Sequence, residues 1–149
     1  MGLHLQGLPQ QSRRIDVRVA VNLPVAQELR IFQAGHHAED PALLEEVVAR
    51  KIPLEMCLTS NVHTHVVSAV AEHPFARYYQ QGVVVTLNTD GRLTDGITLT
   101  DEYYLAHTAL GLGPADLARV VLNACESAFL PEYEKVALVS RVQSELGAL

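Results

Sequence analysis

Asp90 is the residue of this chain whose setting most demands a partner. It follows Val83-Val84-Val85-Thr86-Leu87-Asn88, an almost continuously apolar, β-branched run, with Thr89 between. A carboxylate leaving such a run needs a metal ion, a cation or several hydrogen-bond donors, because burying it alone is costly. A ligand or catalytic group and a helix cap or turn residue both suit the position. A second polar cluster, Thr59, Ser60, Asn61, His63 and His65, follows the apolar segment Ile52 to Cys57. On an extended segment residues i and i+2 share a face, so His63 and His65 could bind a metal with a third ligand from elsewhere. Two solvated histidines in a polar loop are the simpler reading. His36 and His37 are adjacent and point apart in either regular structure, while His73 before Pro74 and His107 in an amphipathic stretch read as capping and packing residues. Cys57 and Cys125 lie inside apolar patterns, which suits buried, reduced thiols. No glycine-rich phosphate loop and no Gly-x-Ser-x-Gly elbow occurs, and the tyrosines form no stacking platform.

The elements that would carry these groups alternate. Asp40-Pro41 reads as an N-cap followed by proline in the first turn of a helix, with Leu43, Leu44, Val47 and Val48 at helical spacing. Ile52 to Cys57 reads as a short strand, closed by the loop residues Thr59, Ser60 and Asn61. A helix over 68–81 is interrupted at Pro74 and ends at Gly82, a C-cap glycine. Residues 83–88 form the best strand, one covered on both faces in a parallel sheet. A loop runs to about Ile97, and helices follow over 101–110, from Pro114, and over 132–145. Nearer the start, residues 9–14 read as a turn, 15–21 alternate like a half-buried strand, and 25–31 could continue a helix. The alternation predicts an α/β fold with parallel pairing, whose functional groups collect on loops at the carboxyl ends of the strands.

Composition narrows the function. The chain has 149 residues, 48% of them hydrophobic, and a formal net charge of −6. A chain of this length can bury roughly 68–70% of its unfolded surface, so one globular unit is expected and bulk disorder is excluded. No basic stripe is present to neutralise phosphates or anionic lipid, which argues against nucleic acid and against polybasic membrane attachment. The longest uncharged apolar run, around 82–87, is strand-sized and far short of the ~18 residues of a membrane span. Met-Gly-Leu-His-Leu-Gln lacks the charged and apolar regions of a secretory signal, so a cytoplasmic protein is expected.

Four ordered motifs, Ile52-Pro53-Leu54-Glu55-Met56-Cys57-Leu58-Thr59-Ser60-Asn61, His73-Pro74-Phe75, Val85-Thr86-Leu87-Asn88-Thr89-Asp90 and Thr100-Asp101-Glu102-Tyr103, resemble the C-terminal part of the adenosine deaminase family. Asn123-Ala124, Phe129-Leu130-Pro131 and Glu134-Lys135 fit that family's closing helices, so the resemblance covers roughly residues 30–145, with 1–29 poorly matched. It implies a single domain that is a partial (β/α)8 TIM-type barrel, about the last three or four βα units plus C-terminal helices. It also implies a zinc-dependent aminohydrolase acting on adenosine or a related 6-aminopurine, in which zinc-bound hydroxide attacks the carbon bearing the amino group and ammonia leaves.

By that resemblance Asp90 is a zinc ligand, and the next position, where the family usually has a purine-contacting aspartate, is Gly91. Counting back from Asp40-Pro41, the catalytic histidine falls on Gln33, which hydrogen-bonds but takes no proton at neutral pH. A local gap would instead bring Gly35-His36 into register. The family's His-Ala-Gly-Glu stretch corresponds to Pro9-Gln10-Gln11-Ser12, without its histidine or glutamate. The His-x-His pair that opens the family's site has no counterpart, because His63-Thr64-His65 falls after the strand ending at Cys57. A full barrel takes about 250 residues, and one aspartate does not supply the three protein ligands of a catalytic zinc. The isolated chain is therefore expected to hold zinc poorly and to turn over no purine unless another chain complements it. The alternative is a non-catalytic scaffold that binds a small molecule or self-associates through open strand edges.

Overall fold

Two short apolar stretches set the centre of the computed structural model, which describes residues 41–148. Strands β1 (Leu54–Met56) and β2 (Val85–Leu87) pair in parallel, with Leu54 opposite Val85, Glu55 opposite Thr86 and Met56 opposite Leu87. Every residue of β2 is buried, as a strand covered on both faces requires. Around the strands lie α1 (Pro41–Ala49), α2 (Leu58–His63), a 3₁₀ turn (Val70–Glu72), α3 (Phe75–Gln80), α4 (Arg92–Asp95), α5 (Leu99–Thr108), α6 (Pro114–Ser127) and α7 (Glu132–Leu146). Helices α3, α5 and α6 pack on β2, and α7 packs on α6. The core they enclose centres on Leu54, Leu58, Phe75, Val85 and Val120. The parallel α/β arrangement matches the reading of the sequence.

Local chemistry explains most boundaries. Helix α5 opens on a capping box: Asp101 N–H donates to Thr98 Oγ1 at 3.3 Å and Thr98 N–H donates to Asp101 Oδ2 at 2.7 Å. Those bonds from Thr98 hold the Asp101 carboxyl below the usual carboxylate range. Helix α6 begins with Pro114, and Gly113 N–H donates to Asp116 Oδ2 at 2.9 Å. Helix α3 closes on Gly82, whose φ of +85° lets Gly82 N–H reach Tyr79 O at 3.1 Å and Val83 N–H reach Tyr78 O at 3.0 Å.

Three local expectations are corrected. The segment 68–81 is α-helical only over Phe75–Gln80, because the residue before a proline is driven from the helical region, and His73 stands extended with ψ of 133°. The polar stretch after Cys57 is not an open loop but helix α2. The loop after Asp90 contains the single-turn helix α4, which ends at Gly96 with φ of +64°. The turn, strand and helix read in residues 9–31, the Asp40 cap, Gln33, His36 and His37 lie outside the described residues. No helix among the described residues is long and apolar enough to cross a membrane.

Candidate functional site

Because β1 and β2 run in the same direction, the segments leaving their carboxyl ends emerge side by side. Asn88 N–H continues the ladder to Met56 O at 2.9 Å. Beyond it the chain turns sharply, and Asp90 takes the left-handed region with φ of +51°, which aspartate tolerates better than most side chains. From the other strand, α2 brings the buried Ser60 alongside, and its Oγ donates to Asp90 Oδ2 at 2.9 Å. Asp90 itself is exposed. Its charge is thus met by a hydroxyl and by solvent, which corrects the expectation of a carboxylate buried at the end of the strand.

At Asp90 opens a cleft of about 510 Å³, lined also by Leu87, Asn88, Thr89 and Arg92 and by Thr98, Leu99 and Thr100. Leu87 and Leu99 give it apolar walls, the threonines give it hydroxyls, and Asn88 Nδ2 is fixed by donating to Thr86 Oγ1 at 2.9 Å. At Gly91 no side chain reaches the cleft, and the space a Cβ would take is filled by Thr94 Oγ1, which donates to Gly91 O at 2.8 Å. An aspartate here would have to displace the Thr94 hydroxyl.

The histidines separate. His63 ends α2, with Nδ1 2.9 Å from Asp95 Oδ1, while His65 lies past the helix with φ of +58°. The chain between them is a helix end and not an extended segment, so the shared face expected for His63 and His65 is absent. His73 caps and packs as its position suggested. Phe75 N–H donates to His73 Nδ1 at 3.1 Å, and the Asn61 amide lies 2.9 Å from Nε2. With Nδ1 accepting, Nε2 is the protonated nitrogen that faces the Asn61 amide. Burial pushes the His73 pKa down to about 4. His107 Nδ1 donates to Leu112 O at 2.7 Å.

Cys57 and Cys125 are half-buried and free. Burial first, then the carboxylates of Asp90, Glu102 and Glu55, push the Cys57 thiol up to about 12, so it is no nucleophile at neutral pH.

Glu102 is the residue that sequence reasoning left without a role. It is fully buried in α5, and its carboxylate accepts the Leu58 N–H at 2.6 Å and the Thr59 N–H at 3.0 Å. The available signal was an acidic residue one helical turn before Ala106, on the face of α5 that turns inward.

The donors do not make a zinc site by themselves. Among the described residues no group of three or more His, Cys, Asp or Glu converges on a point. The one buried side-chain polar atom without a partner among them is Thr59 Oγ1, a hydroxyl and not a zinc donor.

A parallel α/β arrangement with polar groups at the carboxyl ends of its strands is the arrangement shared by doubly wound and barrel folds. The family model described as adenosine deaminase matches residues 18–145, and the chain belongs to that family. The match starts earlier than the motifs alone suggested. The adenosine deaminase of Klebsiella pneumoniae (strain 342) is 39% identical over 119 residues, covering 78% of this chain and 36% of that protein. The adenine deaminase of Arthrobacter aurescens superposes with a TM-score of 0.69 at 25% identity, covering 72% of this chain and 33% of that one. An amidohydrolase of Burkholderia ambifaria with bound zinc shares the fold, with a TM-score of 0.60 at 20% identity over 74% of this chain and 33% of that one. The chain spans about a third of the length of the relatives it matches, and its fold is a partial (β/α)8 barrel.

Proposed function

We propose that this chain supplies the Asp90-bearing part of a purine aminohydrolase site, for the hydrolytic release of ammonia from adenosine or a related 6-aminopurine. Alone, it binds the purine without turning it over. The observation that carries this reading is the meeting of Ser60 and Asp90 at the carboxyl ends of adjacent parallel strands, beside an open cleft with room for a purine. One relative acts on adenosine and a structural neighbour on adenine, and the 6-aminopurine ring is what those substrates share.

Resemblance assigns Asp90 to zinc. A catalytic zinc takes three protein ligands and a water, and Asp90 with a serine hydroxyl falls short of that. The reaction therefore needs donors beyond residues 41–148. Gly91 makes no purine contact through a side chain, so recognition falls to the cleft walls and to Asn88.

Calorimetric titration with adenosine and adenine, paired with an ammonia assay, tests the proposal. Binding of a purine without ammonia release is expected, weakened by Leu99→Asp. Absence of purine binding would overturn it, and ammonia release by the chain alone would overturn its second half.

A second reading is a scaffold that pairs with a copy of itself. Within the described sheet β1 has β2 on one edge and no described strand on the other, and a free strand edge is a template for pairing.

A further inference from the structure

We infer that Glu102 is the positioning residue for Asp90, acting through helix α2; this rests on the reading of Asp90 as part of the site. Helix α2 is six residues long and begins at Cys57, whose side chain makes no capping bond. Its first-turn N–H groups have no intrahelical acceptors and, being buried, must find others. Glu102 supplies them from 44 and 43 residues further along the chain, one carboxylate oxygen to Leu58 N–H at 2.6 Å and the other to Thr59 N–H at 3.0 Å. Charge-assisted bonds of this kind are the strong ones, and the helix's first turn is where negative charge is favoured.

The next residue of that turn is Ser60, whose Oγ holds Asp90 Oδ2 at 2.9 Å. A continuous path thus runs from Glu102 through the α2 backbone and the Ser60 hydroxyl to the Asp90 carboxylate. The far end of α2 is tied to α4, which begins two residues after Asp90, with His63 Nδ1 2.9 Å from Asp95 Oδ1. Packing does not require an acid at position 102: an apolar residue would fill the space and leave the two α2 amides unpaired. A buried carboxylate is costly unless it is fully bonded, and here both oxygens are engaged on the short helix that carries Ser60.

Backbone amide spectra of the full chain without purine, comparing wild type, Ser60→Ala, Glu102→Gln and the double variant, test the inference. Glutamine keeps the volume but offers a single acceptor oxygen and an NH₂ that faces an N–H. Hydrogen exchange at Leu58 and Thr59 is expected to quicken about tenfold or more in Glu102→Gln, following the loss of a buried charge-assisted bond. The Asp90 and Gly91 resonances are expected to move in the direction they take in Ser60→Ala. Adding Glu102→Gln to Ser60→Ala is expected to move them no further. Perturbed Leu58 and Thr59 with Asp90 and Gly91 unmoved would overturn the inference, as would additive shifts in the double variant. If Glu102→Gln does not fold, Glu102→Asp takes its place, with the carboxylate drawn back by one methylene and the same outcomes deciding. Since no purine enters these measurements, their failure leaves the aminohydrolase reading standing. Failure of purine binding with these shifts intact counts against that reading alone.

Discussion

His73 shows how one buried side chain couples the site's scaffold to pH. Its ring is locked between the Phe75 N–H and the Asn61 amide, and burial pushes its pKa from 6.5 down to about 4. Between those values the unfolded chain binds a proton that the folded chain refuses, so stability is full above about pH 6.5 and is lost as pH falls toward 4. The contribution is on the order of 3 kcal/mol. Urea midpoints at pH 7 and pH 5 should drop more steeply for wild type than for His73→Gln, and equal slopes would refute the assignment. At Gly91, substitution by aspartate must move the Thr94 hydroxyl from its bond to Gly91 O. The side chain that resemblance misses there therefore comes at a cost of about 0.5–1.5 kcal/mol, read as a lowered denaturant midpoint. Asp90 was legible because a carboxylate two residues beyond a β-branched strand is chemically conspicuous. Its partner Ser60 and the role of Glu102 were not, since both depend on contacts 30 and 44 residues apart in sequence.

Among the elements, those with local signals could be read from sequence. Helix α6 announces itself by Pro114 and β2 by its β-branched run, while α5, read over 101–110, starts two residues earlier at the Thr98–Asp101 box. Helix α2 does not, because Thr59, Ser60 and Asn61 carry turn chemistry and the group that caps their backbone arrives from α5. The helix expected over 68–81 is interrupted at Pro74 and ends at Gly82 as read, but the part before the proline is only a 3₁₀ turn: periodicity survives across a proline that the α-helical backbone does not. Two substitutions examine these elements. Phe75→Ala empties a fully buried site between α3 and the sheet and should cost about 3–5 kcal/mol in equilibrium unfolding. At Gly82 a Cβ would meet only Val48 Cγ1 at 3.9 Å, so space is available, but φ of +85° is not. Gly82→Ala should therefore cost about 1–2 kcal/mol through backbone strain alone, and no measurable loss would mean that α3 ends differently.

At the scale of the molecule the two-stranded core of the described residues is a small share of a barrel that takes about 250 residues when complete. The chain spans 36% of the Klebsiella relative. Exposed apolar side chains such as Phe129, Tyr133 and Val136 around the α6–α7 junction, together with the second edge of β1, give surfaces suited to further protein. Sedimentation velocity is expected to show concentration-dependent association, weakened by a lysine at Glu55 on β1, and a monodisperse monomer at all concentrations would refute it. The fold class was legible because alternation of helix and strand is a whole-chain pattern. The expectation that Gln33 and Gly91 stand where the family carries a histidine and an aspartate rests on resemblance alone, since both residues are otherwise ordinary.

Zinc content bears most directly on the central claim, that this chain supplies one arm of an aminohydrolase site and not the whole. Elemental analysis of the purified chain after incubation with zinc and dialysis, alongside the adenosine-to-inosine absorbance assay, should find zinc well below one per chain and no turnover. One zinc per chain, with turnover abolished by Asp90→Ala, would contradict the account and show that Asp90 works in a complete site built with residues outside 41–148.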